Sequence, residues 1–458
     1  MNKAESILAI AMKRGFFFPT AEYYGSKAGF WTYGHLGTLM KRKWENLWRD
    51  YFLNLSPNYF EIEGNSILSE DVFKSSGHLE HFKDVLPKEE QTKEKKTFSM
   101  MFDVKIGTTG KEIGYLSPET AQNAYLSFKR EFFALREKLP FGLAIIGKAF
   151  RNEISPRQGF FRLREFTQAE LQIFFDPDNI DDHPEFDRVA KYKLRVFLVE
   201  DRKNNRIEEL SCEQLVKKLK LPKFYVYHLA VAQKFYLDIL KLPKNKFRIE
   251  QIPDEEKAFY NQYHWDFQID LESFGGWSEV GGCHYRTDHD LKGHQKGSGE
   301  NLTVNVNGKS IICHILELSF GLDRNIYAIM ELSYKEDKDR TYFSFQPNIA
   351  PYQVVVLPLV KKDGLPKKAI KVYEMLREEG INVGYDETYI GKAYYRQDEI
   401  GTVYCITFDY DSIKDSAVTI RFRDNKKQTR VRIKKLPEVL RKLFNGQINF
   451  EKAGKLVK

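Results

Sequence analysis

FRNEISPRQGFFRLREFTQAEL, residues 150–171, reads as the meeting point of two extended arms. The arms span 141–153 and 161–175, and Ser155-Pro156-Arg157-Gln158-Gly159 supplies the turn between them. Along an extended chain successive side chains point to opposite faces. Arg151 and Glu153 therefore share a face of the first arm. On the second arm Arg162, Arg164, Phe166, Gln168 and Glu170 share one face, while Leu163, Leu171, Ile173 and Phe175 fall on the other. A face of guanidinium groups, carboxylates and a ring suits a nucleotide, because arginine grips phosphate oxygens in pairs and an aromatic ring stacks on a purine. The same alternation also describes a solvated sheet face with incidental ion pairs. The pattern by itself leaves both readings open.

Upstream, Ile7, Leu8, Ile10 and Ala11 place a short helix over 4–14. Leu39, Trp44, Leu47, Trp48 and Phe52 recur at helical spacing over about 36–53, with Lys41, Arg42 and Lys43 among them. The charged stretch 84–98 breaks periodicity and reads as a loop, and helical spacing returns after Pro118 within about 112–136. Downstream, 176–265 reads as a mixed, largely helical insertion with basic runs such as Lys217-Lys218-Leu219-Lys220. Strands follow at 266–270 and 302–306, then a helix at 320–333. Composition shifts at 335–350, which reads as a linker. Beyond it come the apolar run Val354–Leu357, helical spacing of Ile370, Val372, Tyr373, Met375 and Leu376, a stop at Gly380 and the strand Ile381-Asn382-Val383. Strand, helix and strand in that spacing make a small α/β domain.

The 458 residues, 42% of them hydrophobic, are enough for two to four domains with real cores. Lysine and arginine exceed aspartate and glutamate by 72 to 64, a net charge of +8 that fits a polyanionic partner without requiring one. Cys212, Cys283, Cys313 and Cys405 are far apart and form no CxxC pair, which excludes a disulfide framework and a four-cysteine zinc site. Cys283, His284, His289 and His294 are close in sequence but fit no standard zinc spacing. The opening MNKAESILAIAMKRGFFFP is interrupted by Lys13 and Arg14, and no run reaches the roughly 18 apolar residues of a membrane span. A soluble, cytoplasmic protein is expected.

Phe150-Arg151-x-Glu153, a loop, and Arg162-x-x-x-Phe166 together resemble motif 2 of the class II aminoacyl-tRNA synthetases. The whole string 150–171 is similar to that region of the glycyl-tRNA synthetases in particular. Glu317-Leu318-Ser319-Phe320-Gly321-Leu322-Asp323-Arg324 resembles their motif 3. GFFFPTAEYYGSKAGFWTYGHLG, residues 15–37, is similar to their opening segment and motif 1. Tyr115–Gln122, Gly276–Val280, Arg286-Thr287-Asp288 and residues 390–412 match as well, in family order over nearly the whole chain.

This resemblance implies an α+β fold. A class II antiparallel β-sheet core flanked by helices would occupy 1–340, with motif 1 at about 29–55, motif 2 at about 141–175, the insertion at about 176–265 and motif 3 at about 311–333. A C-terminal α/β anticodon-binding domain would occupy 341–458. It also implies a homodimer that joins glycine to tRNA(Gly), with ATP as substrate and Mg²⁺. Residue by residue, Arg151, Glu153 and Arg324 would be the catalytic set. ATP would meet Arg151, Asn152 and Glu153, then Phe161, Arg162, Leu163, Arg164, Glu165 and Phe166, then Glu279 and Val280, and finally Gly321, Leu322, Asp323 and Arg324. Glu279 would be the Mg²⁺-linked carboxylate. Glycine would meet Glu119, Phe166, Thr167, Gln168, Ala169 and Glu170, with Glu317, Leu318, Ser319, Phe320 and Gly321. Three positions depart from the family: His35 and Leu318 stand where proline is usual, and Ser117 where arginine is usual.

Over 418–434, Val418, Ile420 and Phe422 alternate with Thr419, Arg421 and Arg423, and Val431 and Ile433 alternate with Arg430, Arg432 and Lys434. That is a hairpin with a cationic face, suited either to RNA phosphates or to a charged edge that resists aggregation. Two rival functions are a noncatalytic relative acting as a binding module and a class II enzyme for another small amino acid. Retention of Arg151, Glu153, Phe166 and Arg324 opposes the first; Glu170, Glu317 and Ser319 oppose the second.

Overall fold

The computed structural model describes residues 2–86, 97–154, 156, 159–258 and 260–457. They form two compact units, one of 19–32 and 44–328, the other of 1–18, 33–43 and 329–458.

The first unit is built on a nine-stranded sheet: β1 (Tyr59–Glu61), β2 (Phe141–Phe150), β3 (Glu165–Phe175), β4 (Lys193–Phe197), β5 (Glu208–Ser211), β6 (Phe247–Gln251), β7 (Tyr263–Leu271), β8 (Gly276–Thr287) and β9 (His314–Gly321). The spatial order is β5-β4-β6-β7-β8-β9-β3-β2-β1. Neighbours are antiparallel except β4 with β6 and β1 with β2. Alternation along β9 divides its residues between two environments. Phe320 faces an aromatic core, its ring 5.0 Å from Phe52, 5.6 Å from Phe267 and 6.1 Å from Trp48. Glu317 and Ser319 face the other way. Further along that second face, the helix Ala121–Ala134 covers the sheet with Tyr125, Phe128 and Phe132, and Phe128 lies 4.8 Å from Phe174 of β3.

Several expectations need correction. The arms of 150–171 are shorter than alternation suggested: β2 ends at Phe150 and β3 begins at Glu165. One further bond joins the arms, Arg151 N–H to Arg164 O at 2.9 Å, while Phe150 N–H bonds Ser117 O at 2.9 Å, Asn152 N–H bonds Met100 O at 2.8 Å and Arg164 N–H bonds Gly29 O at 2.8 Å. Of the turn, Ser155, Arg157 and Gln158 lie outside the described residues. The insertion 176–265 is mixed and mostly helical, as expected, but beside the helices Cys212–Leu219 and Lys223–Lys234 it also contributes β4, β5 and β6 to the sheet, which the sequence reading did not place. Leu194, Val196, Phe247 and Ile249 are the buried strand residues that the basic runs obscured. The ends of the expected loop 84–98 pair as strands Lys83–Val85 and Thr97–Ser99, and 87–96 lie outside the described residues. The helix expected after Pro118 does begin there, at Ala121, and the residues ahead of that proline add an unforeseen strand, Glu112–Leu116.

In the second unit, strands run in the order Val383–Tyr385, Val354–Pro358, Tyr404–Phe408, Ala417–Phe422, Gln428–Arg432 and Lys455–Leu456. The first three are parallel and the rest antiparallel. The helix Leu365–Glu378 completes the strand–helix–strand unit. The expected linker 335–350 instead carries a hairpin, Tyr334–Asp337 with Arg340–Phe343, and buries Phe343, Phe345 and Ile349. The helix Lys3–Arg14 starts on an Asn2–Glu5 capping box and ends at Gly15, whose φ of 79° and contact with the His35 ring leave no room for a side chain. His35 opens the helix His35–Phe52. The cationic face of the 417–432 hairpin is neutralised from within: Arg421 pairs with Asp398 at 2.8 Å, Arg430 with Asp409 at 3.0 Å and Asp415 at 2.7 Å. Arg423 donates to the carbonyls of Gly401 and Phe345. These three arginines belong to an internal framework, which neither reading of this hairpin anticipated.

All four cysteines are unpaired and buried. Among the described residues no helix is long and apolar enough to cross a membrane. Phe320→Ala should lower stability by about 3–5 kcal/mol through lost transfer energy and an aromatic-lined cavity, measured by urea unfolding. A loss below about 1 kcal/mol would show that Phe320 does not organise this core.

Candidate active site

On the face of the sheet opposite Phe320 lies a cavity of about 220 Å³. Cross-strand register builds its floor. Glu170 of β3 stands opposite Ser319 of β9, Ser319 opposite Gly282 of β8, and Gly282 opposite Asp266 of β7. The next row runs Gln172, Glu317, His284 and His264. Leu318, which stands where proline is usual, keeps β9 paired on both sides at this point.

One end of the cavity is organised by Arg286, the extra residue of a β-bulge in β8. Its guanidinium is 1% exposed and meets three carboxylates: Asp290 at 2.9 Å, Glu317 at 3.0 Å and Glu119 at 3.4 Å. The helix His289–Ser298 supplies Asp290. Gln172 and Tyr125 also donate to Glu317, Gln122 donates to Glu119, and His78 lies 3.5 Å from Glu119. Burial opposes the Glu119 charge, but Arg286 and His78 outweigh it and hold the carboxyl well below the usual range. Burial disfavours the charged Arg286, yet Asp290 and its neighbours keep it firmly protonated. Glu170 is the fourth acid, 2% exposed, and it accepts from Thr120 Oγ1 at 2.7 Å and Ser319 Oγ at 2.9 Å. Burial and then the charges of Glu317 and Glu119 push its carboxyl up to about 8. Three acids thus share one guanidinium, and the fourth, Glu170, stands beside them without a cation of its own and holds a proton at neutral pH.

The other end is cationic and aromatic. The Arg151 guanidinium sits 5.2 Å from the Phe166 ring centroid and donates to Pro118 O at 3.0 Å. Glu153 accepts from Arg162 Nε at 3.1 Å. Arg324 pairs with Glu279 at 3.1 Å and lies 5.5 Å from the Phe161 ring centroid. These two ends together can take a molecule with phosphates and a ring beside a small cation.

Of the residues expected at the site, Glu119, Arg151, Glu153, Phe161, Arg162, Leu163, Phe166, Thr167, Gln168, Glu170, Glu279, Glu317, Ser319, Gly321, Asp323 and Arg324 line this one cavity. The others stand apart. Ala169, Leu318 and Phe320 alternate onto the core face, and Val280 and Leu322 are buried in packing. Asn152 is not among the cavity's lining residues, and its backbone N–H bonds Met100 O. Glu165 points outward to Lys148 at 3.1 Å. Arg164 donates to the carbonyls of Glu153 and Ala28, so it braces the connection rather than facing the cavity. Cys283, His284, His289 and His294 do not converge: Cys283 is in the core, His284 lines the cavity and His294 bonds Gln122. Sequence reasoning assigned no role to Arg286, Asp290, Tyr260, His264, Asp266 or His284, which also border the site or its base. The Arg-x-x-x-Asp spacing of Arg286 and Asp290 and the alternation of His264 and Asp266 were the available signals.

For a divalent cation, the donors at hand are Glu279 and Asp266. Among the described residues no trio of metal-type ligands gathers. Mg²⁺ commonly uses one or two carboxylates with substrate phosphates and water, so this pair fits an ion that arrives with a triphosphate.

Residues 102–333 match the family described as tRNA synthetase class II core domain (G, H, P, S and T), and residues 353–443 match the Anticodon binding domain. The chain is 35% identical to a glycine–tRNA ligase of Thermococcus gammatolerans, over 97% of this chain and 99% of that protein. It is 36% identical to that of Pyrococcus furiosus (97% and 100%) and 31% identical to that of Methanothrix thermoacetophila (100% of both).

Because Glu170 binds a proton more tightly folded than unfolded, its contribution to stability is present at low pH and lost as pH rises through about 8. Glu170→Gln, which imitates the protonated acid, should therefore be more stable than the parent above about pH 8, by about 1.4 kcal/mol per unit of pKa elevation. The gap should close toward pH 5. Thermal unfolding across pH measures it, and a gap independent of pH would refute the elevated carboxyl.

Proposed function

The chain belongs to the class II aminoacyl-tRNA synthetases and, within them, to the glycine–tRNA ligases, and from that membership we propose that it activates glycine with ATP and transfers it to tRNA(Gly). The observation that carries the reading is the charge balance of the small acidic end of the cavity, where three buried acids share one guanidinium and a fourth, Glu170, is held beside them by hydroxyls alone. Free glycine offers an ammonium, a carboxylate and no side chain. Glu170 and Glu317 are the groups we assign to the ammonium, through charge-assisted hydrogen bonds. Nothing smaller than glycine competes, so selection is a matter of refusing bulk. That is the easy direction for a pocket, since rejecting a smaller substrate yields only about 1–3 kcal/mol per missing methylene. No editing site is required.

In the first step the glycine carboxylate attacks the α-phosphorus of ATP, and pyrophosphate leaves to give glycyl-adenylate. In the second, a terminal adenosine hydroxyl of tRNA attacks the activated carbonyl, the ester forms and AMP leaves. For such chemistry the protein supplies position and charge neutralisation. We assign Arg151 to the α-phosphate, Phe166 to adenine and Arg324 to the opposite side of the nucleotide, with Arg162 held in place by Glu153. Glu279 and Asp266 would hold Mg²⁺, which supplies neutralising charge at the phosphates. The 353–443 domain, matched by the anticodon-binding family, is assigned to the far end of the tRNA. A homodimer and a cytoplasmic site of action complete the proposal.

Among the twenty amino acids, glycine alone should drive ATP–pyrophosphate exchange, and Arg151→Ala should reduce that exchange by about 100-fold or more. Exchange driven better by another amino acid would overturn the substrate, and near-normal exchange in the variant would overturn the phosphate assignment.

A further inference from the structure

Tyr23 and Tyr24 are 99% and 91% exposed, side by side. Aromatic rings are costly to leave fully in water, and two adjacent ones mark a surface that expects company. They sit on a single turn, Glu22–Tyr24, framed by left-handed residues: Ala21 at φ 57°, Gly25 at 71° and Gly29 at 82°. Ala21 gains nothing locally from that conformation, so the shape is imposed by what fastens the segment at its ends. Thr20 N–H bonds Phe30 O at 3.1 Å, and the Thr20 and Thr32 hydroxyls meet at 2.8 Å. The segment is also stitched to the connection between β2 and β3. Arg164 N–H donates to Gly29 O at 2.8 Å and its guanidinium to Ala28 O at 3.1 Å. Trp31 packs on Phe160 at 6.1 Å, and a side chain on Gly29 would strike Pro156 at 2.8 Å. The residues that follow Phe160, Phe161 and Arg162, line the catalytic cavity. The segment that carries the tyrosine turn is thus bonded, through Ala28, Gly29 and Trp31, to the connection that supplies the cavity's rim.

We propose that Tyr23 and Tyr24 form a stacking platform for the unpaired nucleotides at the 3′ end of the tRNA substrate. This rests on the tRNA-charging function proposed above. The terminal adenosine must reach the activated carbonyl inside the cavity, so the unpaired nucleotides before it cross the rim. Bases without partners stack on exposed aromatic rings regardless of sequence. Lys27 lies in the same segment, and its charge suits a phosphate backbone.

The test compares the wild-type chain with Tyr23→Ala/Tyr24→Ala and Tyr23→Trp/Tyr24→Trp, using a tRNA(Gly) transcript with or without its unpaired 3′ nucleotides. Stacking is worth about 1–3 kcal/mol per base, or about 5- to 150-fold. The alanine pair should lose about tenfold or more in kcat/KM for tRNA, keep glycine-dependent ATP–pyrophosphate exchange unchanged, and be restored by tryptophan. The truncated transcript should bind wild type and variant alike. Unchanged aminoacylation in the alanine pair would overturn the proposal. So would an affinity loss of equal size with the truncated transcript, or a loss that appears with a change in oligomeric state, which would assign the rings to a second copy of the chain. Absence of glycine-dependent exchange in the wild type would instead remove the underlying function, a separate and recognisable failure.

Discussion

Arg286 is a cation without water. Burying such a group is expensive unless its charge and its donors are matched, and here Asp290, Glu317 and Glu119 match it. Those acids come from separate places: Asp290 from the helix His289–Ser298, Glu317 from β9, Glu119 from the turn ahead of the helix Ala121–Ala134. The arginine therefore ties two helices to the sheet, while each acid would itself be intolerable there without it. The balance is deliberately incomplete. Glu170 joins the cluster through hydroxyls, and burial beside other carboxylates leaves it holding a proton at neutral pH. A pocket in that condition gains most from one more small cation, and an ammonium with nothing attached beyond a carboxymethyl group meets both the charge and the size.

The sheet lets this polar cluster and the aromatic core share the same strands. On β9, Glu317 and Ser319 belong to the site while Leu318 and Phe320 belong to the core. On β3, Gln168 and Glu170 face the cavity while Ala169 and Leu171 do not. Packing on Phe320 thus fixes the position of carboxylates one residue away, at no cost in loop ordering. The nucleotide end is built differently. Arg151 and Arg162 come from the connection between β2 and β3 and Arg324 from the first turn of the helix Leu322–Ser333; all hold partial exposure and are steered by rings or single carboxylates. One end is a fixed electrostatic socket and the other a set of positioned arms, as a small substrate and a large one require.

Much of this was legible because alternation gathers charged residues on one face of 150–171, while the resemblance to motifs 2 and 3 fixed their roles and supplied 317–324. Arg151, Glu153, Phe166, Glu170, Glu317 and Arg324 all reach one cavity. Where the reading slipped, long-range bonding had overruled local pattern. Treating 151–153 and 161–164 as extended misplaced Arg164, whose partners are carbonyls of Glu153 and Ala28. Counting consecutive motif residues as site residues included Ala169, Leu318 and Phe320, which alternation sends to the core. The basic runs on the helix Cys212–Leu219 hid the strands beside it. The cationic hairpin looked open because Asp398, Asp409 and Asp415, which neutralise it, are distant from Arg421 or lie on the preceding turn. Arg286 drew no role because its importance lies in three carboxylate partners that only the fold assembles.

Proton release on glycine binding tests the central claim most directly. Isothermal titration of glycine at about pH 7, in buffers of different ionisation enthalpy, counts protons exchanged per ligand. If Glu170 is a protonated acid that the ammonium forces to ionise, close to one proton should leave per glycine bound, falling toward zero above about pH 9 and in the Glu170→Gln variant. Binding with no proton release at neutral pH would mean that the acids around Arg286 are already fully ionised, and that the charge account of this pocket is wrong.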